Sequence, residues 1–254
     1  MKTLGCCVFI LSFSFVVLPQ QRDWLRNSDL VFRGSVLKLH TSTVDLPDAS
    51  DLGLVRVTDI IEGEAVLRAY LQQPITVRFR DIRAVKPGQT AIFFARHWIS
   101  GRGLAVQEVA MKADNADLAG QKEDIIRDRA KLNEDSLRDK LKASEHVIVG
   151  RVISIKRLPE NPKLESEHDP MWTEAEILVD EGLKGSFKQG DHVKVTFAAS
   201  NDIMWVKAPR LIRGQPAILL LTRKTDAIDV PNFALINRDQ VIDIKRRDEI
   251  RRLL

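Results

Sequence analysis

Residues 22–36 read RDWLRNSDLVFRGSV, and residues 138–152 read RDKLKASEHVIVGRV. The two stretches are identical at seven of fifteen positions at a constant offset of 116, and the acidic Asp29 corresponds to Glu145. Self-similarity at a fixed spacing is the signature of an internal repeat, and it takes precedence over local assignments. The sequence therefore predicts that the chain carries one module twice.

The match resumes downstream in the same order. Three further pairs of blocks correspond: 57–63 with 179–185, 75–79 with 193–197, and 88–92 with 214–218. The offset drifts from 116 to 126, as insertions in loops would cause. The alternative is chance similarity between strands of like composition, but four blocks in one order argue for duplication.

Each copy shows the pattern of five strands. Branched residues, alternation of apolar with polar residues and turn glycines define them. The predicted strands are 30–39, 54–61, 75–79, 91–95 and 104–110 in the first copy, and 146–155, 175–183, 193–197, 217–221 and 233–236 in the second. The charged segment 113–137 and the tail 246–254 have apolar residues at helical spacing. We expect the residues 133–136 to break the first of these into two helices.

Three of the repeated motifs resemble those of a known family. They are Ser-Asp/Glu-x-Val-x-x-Gly-x-Val at 28–36, Val-x-x-x-Leu-Lys-Gly at 179–185 and Gly-x-x-Ala-Ile-Leu-Leu at 214–220. The pattern is similar to bacterial modules related to the netrin-like domain and the tissue inhibitors of metalloproteinases. The resemblance implies five-stranded OB-type barrels, commonly exported, and the strand count independently suits such a barrel.

The predicted architecture is therefore mainly β with flanking helices. It consists of two tandem five-stranded OB-like (netrin-like) barrels related by internal duplication. The first barrel covers residues 22–112, a charged connecting helix 113–137, and the second barrel with its C-terminal helix 138–254. The family's zinc-chelating N-terminal cysteine and its disulfides do not carry over, because the only cysteines are Cys6 and Cys7.

Both cysteines lie in a segment that has the pattern of a secretory signal peptide. Lys2 precedes an apolar run over residues 4–18, and Pro19 follows. The run is shorter than the roughly 20 residues that a membrane span needs. We expect residues 1–21 to be removed and the protein to be secreted or periplasmic; a buried N-terminal strand or an uncleaved anchor are the alternatives.

Composition narrows the classes of partner. Apolar residues make up 44% of the 254 residues, which is enough for a packed core, and the net charge is only +4. Aromatic residues make up 6%, so a surface on which bases stack is disfavoured. Nucleic acid is therefore not the expected partner.

No residues are predicted to be catalytic, cofactor-binding or metal-ligating. The five histidines lack metal-ligand spacing, and Ser35 and Ser186 lack the second glycine of a nucleophile elbow. The segment 165–169, Glu-Ser-Glu-His-Asp, is the best candidate for holding a divalent cation, with a solvated acidic loop as the simpler interpretation. The sequence predicts a protein that is not an enzyme, with an unrecognised hydrolase as the least favoured reading.

One basic set and one indole are the candidate ligand-facing residues. A second basic set is a candidate for membrane contact. The first set and the indole are Arg78, Arg80, Arg83, Lys86 and Trp205. The second set, Lys245, Arg246, Arg247, Arg251 and Arg252, would suit peripheral contact with a membrane surface. Interleaved acidic residues favour a solvated face for both sets. The predicted function is an exported binding protein for a protein or cell-envelope component, with anionic-polymer binding as the alternative.

Overall fold

The chain forms two compact units. The computed structural model describes residues 19–46, 49–100, 103–114, 117–159, 168–223 and 233–254. Unit 1 ends at Asn133 and unit 2 begins at Glu134. The predicted signal peptide lies outside the described residues except for 19–21, and residues 165–167 of the acidic segment lie outside them as well.

The described part of unit 1 contains a short helix, five strands and the first part of a long helix. Their bounds are α1 Pro19–Arg26, β1 Leu30–Leu39, β2 Leu52–Glu62, β3 Pro74–Arg78, β4 Thr90–Ser100, β5 Leu104–Ala113 and α2 Leu118–Ala143. The strands form a closed barrel in the order β1-β2-β3-β5-β4, with β4 paired to β1. Among the strand pairs of this described barrel, only β3 and β5 are parallel. This arrangement is compatible with an OB-type barrel.

The interior of this barrel is aromatic and aliphatic. Phe32 and Phe93 stack with ring centroids 5.1 Å apart, and Phe79 meets Phe93 edge-on at 6.4 Å. Ile75 and Val77 join Phe79 in the same cluster, which confirms the alternation predicted for β3. Each large side chain buried in this way contributes about 1.5–3 kcal/mol to stability.

Helices α1 and α2 cover the outer face of β1 and β4. Leu25 of α1 and Ile125 of α2 are fully buried there against Val31 and Phe94. The second apolar surface explains why residues 91–95 of β4 are apolar throughout, since both faces of the strand are buried.

A polar link joins the two helices of unit 1. Gln21 Nε2 donates to Asp128 Oδ2 at 2.9 Å, and Asp128 is only 3% exposed. Arg129 donates to the carbonyl oxygens of Leu25 and Ser28 at 2.7 and 2.9 Å. The Arg129 guanidinium therefore links α2 to carbonyl oxygens at and just beyond the end of α1.

Unit 2 is a curled six-stranded sheet in its described part. Its elements are the second part of α2, β6 His146–Arg157, β7 Trp172–Lys184, β8 His192–Ala198, β9 Pro216–Leu221, β10 Phe233–Leu235, β11 Val241–Asp243 and α3 Arg247–Leu253. The strand order is β10-β8-β7-β6-β9-β11. The predicted fifth strand, 233–236, corresponds to β10, but the sheet differs from the predicted five-stranded barrel because an additional strand that was not predicted, β11, pairs with β9.

A local turn separates β10 from β11. Gln240 Oε1 accepts hydrogen bonds from the amides of Ile236 and Asn237 at 2.8 and 3.0 Å, which closes a 3₁₀ turn between the two strands. Before the turn, β10 pairs in parallel with β8, and after it β11 pairs antiparallel with β9. An isolated bridge between Arg223 and Phe233 links the end of β9 to β10.

The first two strands of each unit pair in the same register. Gly34 of β1 pairs with Val57, and Gly150 of β6 pairs with Val179. Irregularities in the two ladders fall at matching places, namely after Val31, Arg33 and Val36 in β1 and after Val147, Val149 and Val152 in β6. At the shared bulge a glycine is needed, because a Cβ on Gly34 would lie 2.5 Å from Val55 Cγ1.

Helix α2 is unbroken from Leu118 to Ala143, so the predicted division at residues 133–136 is wrong. Arg138 bonds to Glu134 at 2.6 Å and to Asp135 at 3.3 Å, one turn away, and these contacts support a continuous helix. In unit 2, Leu141 of α2 and Ile250 of α3 cover the outer face of β6 and β9.

Candidate functional site

A cleft of about 320 Å³ opens on the surface of unit 1. Three of its walls are strands or the residues that follow them, and the fourth is α1. The lining residues are Asp23, Trp24, Asn27, Arg80, Arg96, Gln107, Glu108 and Val109. A concave site with a few convergent polar groups beside apolar surface is the usual form of a ligand site.

A bulge in β5 brings consecutive residues to the cleft. Phe94 of β4 pairs with Ala110, but the next residue, Ala95, pairs with Glu108. The extra residue, Val109, bends β5, so residues 107–109 all reach the same cleft although a regular strand would turn alternate side chains away.

Helix α1 supplies the aromatic wall. Its buried Leu25 anchors the helix to the barrel, and Trp24 packs against Phe94 with ring centroids 5.5 Å apart. Trp24 stays half-buried, so part of the indole faces the cleft. The position of the indole therefore follows from the packing of α1.

Two guanidinium groups face the cleft without an ion-pair partner among the described residues. Arg80 donates from Nη1 to the carbonyl oxygen of Val109 at 2.9 Å, which holds the side chain along β5. Arg96 is exposed at the mouth of the cleft. Arginine presents several donors in a planar fork, so both groups retain capacity to bind an anion.

Two carboxylates oppose these arginines. Burial raises the pKa of the Glu108 carboxyl, and the hydrogen bond from the Arg80 amide, at 3.3 Å, and the Arg80 charge only partly offset that rise. Asp23 is exposed and lies 3.6 Å from Arg26 of the same helix. The cleft thus presents two positive and two negative side chains.

Of the predicted ligand-facing residues, only Arg80 lines the cleft. Arg78 pairs with Asp51 at 2.6 Å and stacks over the Trp98 ring at 5.0 Å, and Arg83 pairs with Asp81 at 3.0 Å. These carboxylates offset the charge of the predicted basic face.

The remaining two predicted residues lie elsewhere. Lys86 is exposed in the turn before β4, and its amide donates to Gln89 Oε1 at 3.1 Å. Trp205 belongs to unit 2, where its ring meets Trp172 at 5.4 Å and its Nε1 donates to the carbonyl oxygen of His168 at 2.9 Å. Of the five predicted residues, Arg80 is thus the one that lines the cleft of unit 1.

The described end of the acidic segment is engaged with the protein itself. His168 Nδ1 lies 2.9 Å from Asp202 Oδ2, and Asp169 accepts from the Met171 amide at 2.8 Å. Among the described residues, no three His, Cys, Asp or Glu side chains form a group that could hold a metal ion. The cation-binding prediction falls partly on residues 165–167, outside the described part.

The basic C-terminal set is largely committed to contacts within unit 2. Arg247 and Arg251 both bind Glu181 of β7, and Arg246 binds Glu249 at 2.7 Å. Ile250 is fully buried, so the apolar side of α3 packs on the sheet. Peripheral membrane contact through this helix stays a prediction. None of the helices in the described ranges is long and apolar enough to cross a membrane.

The comparisons with known proteins leave the site to be interpreted from its geometry. A scan against protein-family models finds no match, and a search of the curated proteins finds none either.

Trp24, Arg96 and Glu108 were not predicted as site residues from the sequence. One signal was present: the alignment of residues 22–36 with 138–152 places Trp24 opposite Lys140, so the two stretches differ in side-chain chemistry at this position.

Proposed function

We propose that this protein is an exported, non-enzymatic binding protein, built from an OB-type barrel and a curled OB-like sheet that are related by internal duplication, and that it binds a small carboxylate ligand in the cleft of unit 1. The observation that carries the proposal is the pair Arg80 and Arg96. Both guanidinium groups face the cleft beside Trp24, and neither has a carboxylate partner in the described residues.

The matching registers support the duplication. Both first ladders contain the same three irregularities, and the glycine at the shared bulge is Gly34 in one unit and Gly150 in the other. The parallel pairing of β3 with β5 also has its equivalent in β8 with β10. The resemblance to netrin-like modules is consistent with this topology, although fold by itself does not assign a function.

The chemistry of the cleft suits the binding of a carboxylate. Its lining combines two guanidinium groups with an indole. Guanidinium forks match the planar oxygen pair of a carboxylate, and the indole of Trp24 offers an apolar surface for the rest of the ligand.

Binding of an anionic polymer along β3 is less well supported. That alternative relied on Arg78 and Arg83 as free positive charges, and both are paired with carboxylates. It would still predict retention on heparin that weakens steeply as salt increases, because polymer binding releases counterions.

The test is a calorimetric titration with 3-phenylpropionate, a carboxylate with an aromatic ring. Arg96→Gln should weaken binding about tenfold, since a charge-assisted hydrogen bond contributes about 1.5–3 kcal/mol. Arg68→Gln, at an exposed arginine outside the cleft, is the matched control and should leave the affinity unchanged. Absence of binding by 3-phenylpropionate and by the standard amino acids, or equal loss in both variants, would contradict the proposal.

A further inference from the structure

The charge balance of the cleft restricts its ligand. Arg80 and Arg96 are matched by Asp23 and Glu108, so the lining is neutral overall but divided into positive and negative groups. A simple anion would be attracted by the guanidinium groups and repelled by the carboxylates. A simple cation would be attracted by the carboxylates and repelled by the guanidinium groups.

Glu108 has acceptor capacity that the protein does not use. Its carboxylate is partly withdrawn from water, and in the described residues its one hydrogen bond is the 3.3 Å contact from the Arg80 amide. An ionised carboxylate can accept about four hydrogen bonds. A ligand group with several donors and a positive charge would compensate for this desolvation.

The two kinds of charge lie close together. Arg96 of β4 is paired directly with Gln107 of β5, and Glu108 is the next residue along that strand. Both Arg96 and Glu108 line the same cleft of about 320 Å³. A short ligand can therefore reach both charged groups at once.

We propose that the cleft binds a zwitterion of the size of a single amino acid. Its carboxylate is bound by Arg96 with Arg80, its ammonium by Glu108 with support from Asp23, and its apolar side chain packs on Trp24. The volume of about 320 Å³ is at the small end of ligand cavities. This inference rests on the proposed function of the same cleft and adds the class of ligand.

The experiment compares three related ligands by titration calorimetry on the whole chain. L-Phenylalanine has both charged groups, 3-phenylpropionate lacks the ammonium, and 2-phenylethylamine lacks the carboxylate. We expect phenylalanine to bind at least about tenfold more tightly than either analogue, which corresponds to one charge-assisted contact at each end.

Two variants assign each end of the ligand. Glu108→Gln should remove the advantage of phenylalanine over 3-phenylpropionate while leaving the affinity for 3-phenylpropionate unchanged or improved. Arg96→Gln should weaken both of these ligands. Glu64→Gln, at an exposed glutamate outside the cleft, should change neither, and melting temperatures of all variants verify that they are folded.

The outcomes separate this inference from the proposed function. If phenylalanine and 3-phenylpropionate bind equally and only Arg96→Gln matters, the ligand is a plain carboxylate; the inference fails and the proposed function stands. If none of the three binds, and a thermal-shift screen of the standard amino acids is also negative, both fail. Tighter binding of phenylalanine that survives Glu108→Gln would also overturn the inference.

Discussion

The two units use equivalent strand pairings but complete them differently. In unit 1 a single strand, β5, pairs in parallel with β3 and antiparallel with β4, and the barrel is closed. In unit 2 the same two pairings are made by β10 and β11, with a 3₁₀ turn between them. Unit 2 thus makes with two short strands the two pairings that unit 1 makes with one continuous strand.

The two units also differ at the cleft. At the aligned positions and the equivalent pairing positions, Trp24 corresponds to Lys140, Arg80 to Ala198, Arg96 to Thr222 and Glu108 to Leu235. Each of these replacements removes or changes the group that would contact a ligand. Both units thus contain equivalent strand pairings, but at these described positions unit 2 does not have the charged and aromatic side chains that line the cleft of unit 1.

The largest expected loss of stability tests whether the first strand pairs of the two units are equivalent. Gly34→Ala and Gly150→Ala should each destabilise their own unit by about 2–3 kcal/mol, because the new Cβ has no room. At Gly34 it would lie 2.5 Å from Val55 Cγ1, and at Gly150 2.6 Å from Ile177 Cγ2. Hydrogen exchange measured by mass spectrometry would report the stability of each unit separately.

Turn glycines provide the matched control for this pair. Gly88 and Gly214 precede β4 and β9, and both have open space at Cβ but positive φ, +83° and +84°. Alanine there should cost only about 1 kcal/mol from backbone strain. A larger loss at the turns than at the bulges, or a loss at only one of the two bulge glycines, would show that the ladders are not equivalent.

A smaller loss of stability is expected when the contact between helices α1 and α2 of unit 1 is removed. Gln21→Ala should lower the free energy of unfolding by about 1–3 kcal/mol, because the buried Asp128 loses its hydrogen-bond donor. Gln20→Ala, one residue earlier and exposed, should have little effect. Denaturant titration would measure both, and equal stability of the two variants would refute the role of this contact.

The helix that follows each sheet is tethered by an acidic residue at the same place in the second strand. Lys122 binds Asp59 in unit 1, and Arg247 and Arg251 bind Glu181 in unit 2. Partial burial raises the pKa of Glu181, but the hydrogen bonds and charges of Arg251 and Arg247 outweigh it and lower the pKa below its usual value.

This tether predicts a pH dependence. A lowered pKa in the folded state means that the Glu181 contribution is fully present above the carboxyl's ordinary pKa and is lost as the pH falls through the folded pKa. Glu181→Gln should therefore lower the melting temperature at neutral pH, and the two proteins should converge in acid. The loss should be about 1 kcal/mol, and a difference that does not depend on pH would contradict the assignment.

The smallest expected change in stability is that on replacing Glu108 in the cleft. Its sign is opposite to that expected on replacing Glu181. Since burial raises the pKa of Glu108, its ionised form makes folding less favourable at neutral pH. Its stabilising contribution is complete only below the unfolded pKa and is lost as the pH rises through the folded pKa. Glu108→Gln should slightly raise the melting temperature at neutral pH, and this gain should vanish in acid; a lower neutral-pH melting temperature would contradict it.

The strands were readable from the sequence because their periodicity is local. The prediction of 30–39 matches β1, and the alternation at 75–79 places Ile75, Val77 and Phe79 inside. The short β11 was missed, because three residues after a polar turn carry too little pattern. The unbroken helix α2 was missed because its contacts from Arg138 to Glu134 and Asp135 outweigh the weak helix propensity of the segment.

The cleft was less predictable than the strands. Arg80 was found as part of a basic run. The partner of Arg83, Asp81, is close in sequence, but the partner of Arg78, Asp51, is distant and could not be identified from the sequence. Glu108 reaches the cleft only because of the bulge at Val109, which the alternation of β5 does not show. Side chains from four separate elements meet there, and that convergence is a property of the folded barrel.

The most direct test is a nitrogen–proton NMR spectrum of the labelled protein during titration with phenylalanine. Trp24 lines the cleft, whereas Trp172 and Trp205 belong to unit 2. Their indole N–H signals therefore report on different units. If phenylalanine binds in the cleft, the Trp24 signal and the side-chain amides of Asn27 and Gln107 shift together, while the signals of the unit 2 indoles stay in place. Shifts of Trp172 or Trp205 with an unchanged Trp24 signal would contradict it.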